Sequence, residues 1–231
     1  MKLLAVETAT EACSAALAID GQILERFQIA PQQHTALILP MIESLLAEAE
    51  IKPSELDALA FGRGPGSFTG VRIATGVIQG IAFGLDRPVV PVSTLASIAQ
   101  HFFNTDTCHQ DIAFVAMDAR LDEIFWGVYQ RNNQGLAQLL LDETVTPATH
   151  IQFPDVHGMG IGSGWAIYKN ELSLCLSDKV IGVETQYLPR AATVAQLGVV
   201  GFHQGQAVSA DLAMPVYLRN KVAKTESERL T

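Results

Sequence analysis

The chain has 231 residues, of which 48% are hydrophobic and 17% charged. That is enough for one large domain or two lobes of about 100 residues each around a sizeable core, and it excludes extended disorder. A formal net charge of −9, with its fifteen basic residues scattered, makes a poor autonomous nucleic-acid binder, because phosphate contacts need clustered Lys and Arg. Any RNA chemistry the protein serves would draw its basic surface from another subunit. Cys13, Cys108 and Cys175 are far apart and odd in number, which argues against a disulfide framework or a CxxC metal site, and the pair Cys108-His109 alone makes no site.

Met1-Lys2 leads straight into the apolar residues 3–6, too short for a signal-peptide core, and no apolar run is long enough to span a bilayer. The expectation is a cytoplasmic protein without membrane contact. Residues 3–7 form an apolar strand ending in an acid. Residues 13–19 and 22–29 predict two more strands, joined at Asp20-Gly21, a strong hairpin signal. A helix follows at 34–50, where Ile38, Met41, Ile42, Leu45, Leu46 and Ala49 recur at helical spacing and make one wide apolar face. Pro40 falls early enough to bend that helix or to begin it. A buried strand at 56–61 leads into a glycine-rich loop. Ser67 caps a helix running to Gly84, a short strand lies at 88–92, and Ser93 caps a helix to about Phe103. Residues 104–110 form a polar linker.

The pattern then starts again. An apolar strand at 112–117 ends in Asp118, strands follow at 123–130 and 136–141 around a turn at 132–135, and 157–161, 165–176, 180–183 and 189–202 alternate strand and helix. The tail from 221 is charged and loose. Three antiparallel strands followed by parallel strand–helix units, occurring twice, predict an α/β protein with the duplicated actin-like ATPase (ASKHA) fold. Its two lobes, of βββαβα type, would span 1–104 and 105–231, the second one reduced. A generic α/β domain is the alternative.

Two features of the first half carry chemistry. The run Gly62-Arg63-Gly64-Pro65-Gly66-Ser67-Phe68-Thr69-Gly70 opens a helix, where free N–H groups and the helix dipole favour anions, and Arg63 adds a fixed charge. It fits neither GxxxxGK[ST] nor GxGxxG, so a tight strand-to-helix turn that needs its glycines for geometry stands beside phosphate or carboxylate binding. In the helix itself, Gly76, Gly80 and Gly84 share one face. Each interior glycine costs about 1 kcal/mol relative to alanine. Close packing would offset that, either within the lobe or against another subunit. Elsewhere the signals are weaker. Glu7 and Asp118 end equivalent strands and could hold Mg²⁺ or move protons, or they could be strand-end residues with local hydrogen bonds. The six histidines show no HxxxH or HExxH pattern, and Gly158, Gly160, Gly162 and Gly164 form a second glycine-rich turn.

The stretches Leu4-Ala5-Val6-Glu7-Thr8-Ala9-Thr10, His34, Gly62 through Arg72, and Pro215-Val216-Tyr217-Leu218-Arg219 resemble the bacterial TsaB (YeaZ) family over nearly the whole chain. The resemblance implies the ASKHA fold and a role in forming N6-threonylcarbamoyladenosine beside the anticodon of tRNAs that read codons beginning with A. It implies a non-catalytic subunit that binds a TsaD-like paralogue, the transferase, together with a TsaE-like ATPase. A TsaC-type enzyme supplies the threonylcarbamoyl-AMP, and tRNA is contacted only indirectly. The chain would have no cofactor of its own, with ATP and divalent metal belonging to partner subunits. The TsaD-type His-x-x-x-His metal pair would fall at Thr94 and Ile98, neither of which is such a ligand. The pairing surface carries over to the two first-lobe helices, at His34, Ile38, Met41, Ile42 and Leu45 and at Phe68, Arg72, Ile73, Gly76, Val77, Gly80 and Gly84. The same surface would form a homodimer when the paralogue is absent. Nucleotide or anion contact would fall on Glu7, Thr8, Thr10, Arg63, Gly64, Gly66 and Asp118. The competing reading is a stand-alone ATP-dependent transferase or a glycoprotease-like peptidase of the same superfamily.

Overall fold

The structure, a computed structural model, describes residues 1–105 and 110–219, so the Cys108-His109 pair and the tail from 221 lie outside the described residues. Strand β1 (Lys2–Glu7) pairs antiparallel with β2 (Ala12–Ile19), which pairs with β3 (Gln22–Ile29). Asp20 and Gly21 join these two strands with φ of 50° and 88°, the positive-φ pair that a two-residue hairpin needs. Helix α1 (His34–Glu48) follows, then β4 (Ala58–Gly62), α2 (Phe68–Leu85), β5 (Val89–Val92) and α3 (Thr94–Phe103). Strands β4 and β5 run parallel to β1, giving the sheet order β3-β2-β1-β4-β5. Both predicted caps are in place. Ser67 accepts from Gly70 N–H, and Ser93 accepts from the N–H groups of Leu95 and Ala96.

The second half comprises β6 (Ile112–Arg120), β7 (Glu123–Arg131), β8 (Ala137–Pro147), β9 (Gly158–Ile161), α4 (Gly164–Ile167), α5 (Lys169–Leu176), β10 (Val180–Glu184) and α6 (Ala191–His203). Its sheet, read from β8, is β8-β7-β6-β9-β10. Strand for strand this is the first order again, with the same antiparallel and parallel partners. The duplication predicted from pattern is therefore present in topology. The second copy is the smaller one. A 3-10 turn at Ala148–His150 stands where the first copy has α1, and two short helices stand where it has α2.

Three local expectations are corrected. The helix at 165–176 is interrupted at Tyr168, whose ψ of 27° separates α4 from α5. Strand β8 runs six residues past the predicted end at 141, because exposed Asp142 and Thr144 alternate with half-buried Glu143 and Val145 in a half-solvated edge strand rather than marking a loop. Pro40 lies inside α1 at an exposed position, so the alternative that the helix begins there falls away.

Packing does not follow the cut at 104/105. α1 and α2 cover one face of the first sheet, over Leu4, Val6, Leu59 and Phe61. The other face, with Leu3, Ala5 and Ala60, is covered by Ala191, Val194 and Ala195 of α6, the last helix of the second half. Conversely α3 places Leu95, Ile98, Phe102 and Phe103 on the second sheet, against Ala113, Val115 and Tyr129. The two closing helices are thus exchanged. The chain then returns to the first lobe a second time, since Val208 bridges Val89 and Ala213 is buried against the α1–α2 core.

Candidate functional site

The loop after β4 is built around close approach. A Cβ at Gly70 would lie 2.0 Å from Thr8 O, and one at Gly62 would lie 1.8 Å from Glu7 Oε2. Gly64 takes φ +99°, open to glycine far more readily than to other residues. Thr8 Oγ1 donates to Gly70 O at 2.7 Å, and Ser67 N–H donates to Ala9 O at 2.8 Å. Arg63 N–H donates to Val92 O. The glycines let the loop and the first turn of α2 lie directly on the end of β1, which is the geometric reading of the motif.

Beneath this loop Glu7 is 1% exposed. Its Oε1 accepts from Ala9 N–H at 2.6 Å and its Oε2 from Thr94 Oγ1 at 3.3 Å. Burial pushes its carboxyl up to about 7, against the partial relief of these hydrogen bonds. Thr8 is buried with it.

A cleft of about 1080 Å³ opens between the lobes and is bordered by Thr10, Gly66, Phe68, Asp118, Arg120 and Tyr217. Of the residues expected at a nucleotide or anion, the fold brings Thr10, Gly66 and Asp118 to this cleft. Glu7, Thr8, Arg63 and Gly64 do not border it. His34 does, but it is 8% exposed and its Nε2 donates to Ala12 O at 3.2 Å. The carboxylate of Asp118 is already used, with Arg120 N–H on Oδ1 and the Arg120 guanidinium on Oδ2 at 3.2 Å. The paired acids that a divalent ion and a nucleotide would need are not presented together. One is sealed under the loop and the other is ion-paired with Arg120. Among the described residues no three of His, Cys, Asp and Glu gather at a metal-like spacing. At the two positions of the expected metal pair, Thr94 is buried on Glu7 and Ile98 is a core side chain.

The two first-lobe helices divide sharply. His34, Ile38, Ile42 and Leu45 are buried in the chain's own core, so four of the five α1 residues expected at a partner are consumed internally, and only Met41 remains half-buried at the edge. The wide apolar face read from the sequence faces the sheet. Helix α2 is different. Val71, Ala74, Ile78 and Ala82 pack inward, while Gly76, Gly80 and Gly84 are exposed with nothing within 4 Å of where a Cβ would stand. Packing within the lobe therefore does not account for the glycines. Ile73 and Val77 flank them half-buried. Phe83, 83% exposed, completes the stripe and was missed. Its spacing, three residues from Gly80 and seven from Gly76, is the signal that places it there. By length and composition α2 could also cross a membrane, contrary to the expectation that no run would, but its inward face belongs to the lobe's core.

The start of α2 is covered by the C-terminal return. Val216 N–H donates to Arg63 O at 2.8 Å, Gln79 Nε2 donates to Ala213 O at 3.1 Å, and Arg72 Nε donates to Tyr217 Oη at 2.9 Å. The Arg72 guanidinium lies 3.9 Å from the centre of the Phe68 ring. Phe68 and Arg72, expected at the partner, are thus already engaged with the chain's own strap.

Two copies of one mixed sheet, flanking a cleft and closed by exchanged helices, define a duplicated actin-like ATPase (ASKHA) protein. Of its two strand-end acids Glu7 is sealed away from the cleft and Asp118 borders it paired with Arg120, and one first-lobe helix stands open. The family profile described as TsaD: tRNA N6-adenosine threonylcarbamoyltransferase matches residues 27–227. The tRNA threonylcarbamoyladenosine biosynthesis protein TsaB of Escherichia coli is 38% identical over 230 residues, covering 96% of each chain, and that of Haemophilus influenzae is 36% identical over 96% of this chain and 95% of the relative. The solved structure of YeaZ from Pseudomonas aeruginosa superposes with a TM-score of 0.87 at 41% identity, covering 94% of this chain and 99% of that one. The chain belongs to the TsaB (YeaZ) family.

Proposed function

We propose that the protein is a non-catalytic subunit required to form N6-threonylcarbamoyladenosine in tRNA, in the cytoplasm, and that it acts by holding a TsaD-like paralogue on α2. The open glycine stripe carries this reading. A helix that gives up stability at Gly76 and Gly80, and leaves both bare beside Ile73, Val77 and Phe83, is shaped for the close approach of another helix. The sealed Glu7, the ion-paired Asp118 and the Thr94–Ile98 pair support assigning ATP and divalent metal to the paralogue and a TsaE-like ATPase. The net charge of −9 supports indirect contact with tRNA. A homodimer through the same stripe competes with the paralogue.

The test is reconstitution of the tRNA modification from TsaC, TsaD and TsaE homologues with and without this chain. Product formation that depends on the chain supports the reading. Equal product without it, or activity of the chain alone, removes it and restores the enzyme alternative.

A further inference from the structure

A second cavity, of about 750 Å³, lies on the α6 side of the first sheet and shares no lining residue with the interlobe cleft. Arg63 stands in its wall. The backbone there is held on both sides, by Val92 O and by Val216 N–H, so the position of the side chain's root is fixed. The side chain is largely buried. Its Nε is buried with no hydrogen-bond partner, and its guanidinium enters no ion pair among the described residues. A guanidinium is charged at any accessible pH, and buried donors in native proteins are met by protein, water or ligand. The other polar groups around it are neutral: Ser93, Asn132, Gln138, Gln204 and Gln206. No acid lines the cavity. Glu143 lies outside the lining, its Oε1 accepting from Ser93 Oγ and Tyr129 Oη, and Arg63 acts electrostatically on that same tyrosine. A guanidinium without an ion pair, on a wall whose other polar lining groups are neutral, offers parallel donors to an oxyanion. The volume exceeds that of a bare ion and falls in the range of metabolite pockets, with Leu136, Leu197 and Val200 available to an organic body.

We propose that this cavity binds a small metabolite through its phosphate or carboxylate group, held by the Arg63 guanidinium. The site is separate from the α2 stripe, so its failure leaves the pairing reading standing. The test follows the arginine Nε–H resonances of the full chain, with that of Arg63 assigned by its loss in Arg63→Lys. Inorganic phosphate and acetate are titrated separately against chloride at constant ionic strength, and the arm that saturates tells the two chemistries apart. A saturable shift of the Arg63 resonance is expected, with affinity, read by calorimetry in both proteins, weakened about tenfold in Arg63→Lys. Gln138→Glu, at an exposed lining position on β8, adds a carboxylate to the cavity and is expected to abolish the shift with Arg63 intact. Arg72→Lys, outside the cavity, is expected to keep it. Responses to both anions that match chloride, or a shift that survives Gln138→Glu, would overturn the proposal.

Discussion

Glu7 ends β1 under the glycine loop, and the consequence of that placement is a pH dependence with a definite sign. The folded-state value of about 7 lies above the ordinary 4.5, so the buried form prefers its proton. Below pH 4.5 the carboxyl is protonated in both states and costs nothing. Between 4.5 and 7 stability is lost, and above 7 the ionised side chain costs roughly 3 kcal/mol. Glu7→Gln keeps an acceptor for Ala9 N–H and removes the charge. It is expected to raise stability at pH 8 by up to about 3 kcal/mol and to leave it unchanged near pH 4. Urea melts of both proteins across that range check it, and parallel curves would sink the assignment. The sequence marked Glu7 as an acid at a strand end and left open whether it faced a ligand or its own backbone. That choice depends on how closely the loop lies over it, which Gly62 and Gly70 decide from more than fifty residues away.

At the scale of elements, the helices were legible as helices and much less so as surfaces. Periodicity located α1, and the caps Ser67 and Ser93 located the starts of α2 and α3. Period alone does not say which neighbour an apolar face meets, so the Ile38–Ile42–Leu45 face could be assigned to a partner when it serves the sheet. The glycine stripe on α2 is a different kind of signal, because small residues mid-helix weaken the element and need a reason. That reason is testable in both directions. With nothing within 4 Å of the missing Cβ atoms, Gly76→Ala and Gly80→Ala are each expected to stabilise the isolated chain by up to about 1 kcal/mol, read as a rise in melting temperature. The same changes should weaken binding to the TsaD-like paralogue in calorimetry. Gly80→Arg is expected to leave the lobe folded by circular dichroism yet abolish the complex on gel filtration. An undiminished complex would move the partner off this face. The Tyr168 break was not legible, since Trp165, Leu172 and Leu176 fit one continuous helix as well as two.

For the whole molecule, the repeated order of strands was visible in the sequence as a repeated pattern, but the exchange of α3 and α6 was not. Nothing local in Ala191–His203 distinguishes a helix that returns to the first sheet from one that stays on the second. The exchange predicts that the halves do not fold apart. A fragment of residues 1–104 leaves Leu3, Ala5 and Ala60 uncovered and exposes the apolar face of α3. It is expected to aggregate or to give collapsed amide dispersion in NMR, and to recover native spectra when 105–231 is supplied in trans. A well-dispersed spectrum from the fragment alone would show that the first lobe is autonomous.

The unequal shrinkage of the two copies has a further consequence for assembly. Where the first copy keeps α1 and α2, the second keeps a 3-10 turn and two short helices broken at Tyr168. A chain displaying the same long helix on both halves would offer two sticky ends and grow by addition, as filament-forming molecules do. Here one end has been blunted. Among the described residues the second copy offers no helix equivalent to α2, so an assembly through α2 is expected to stop at that contact rather than to extend.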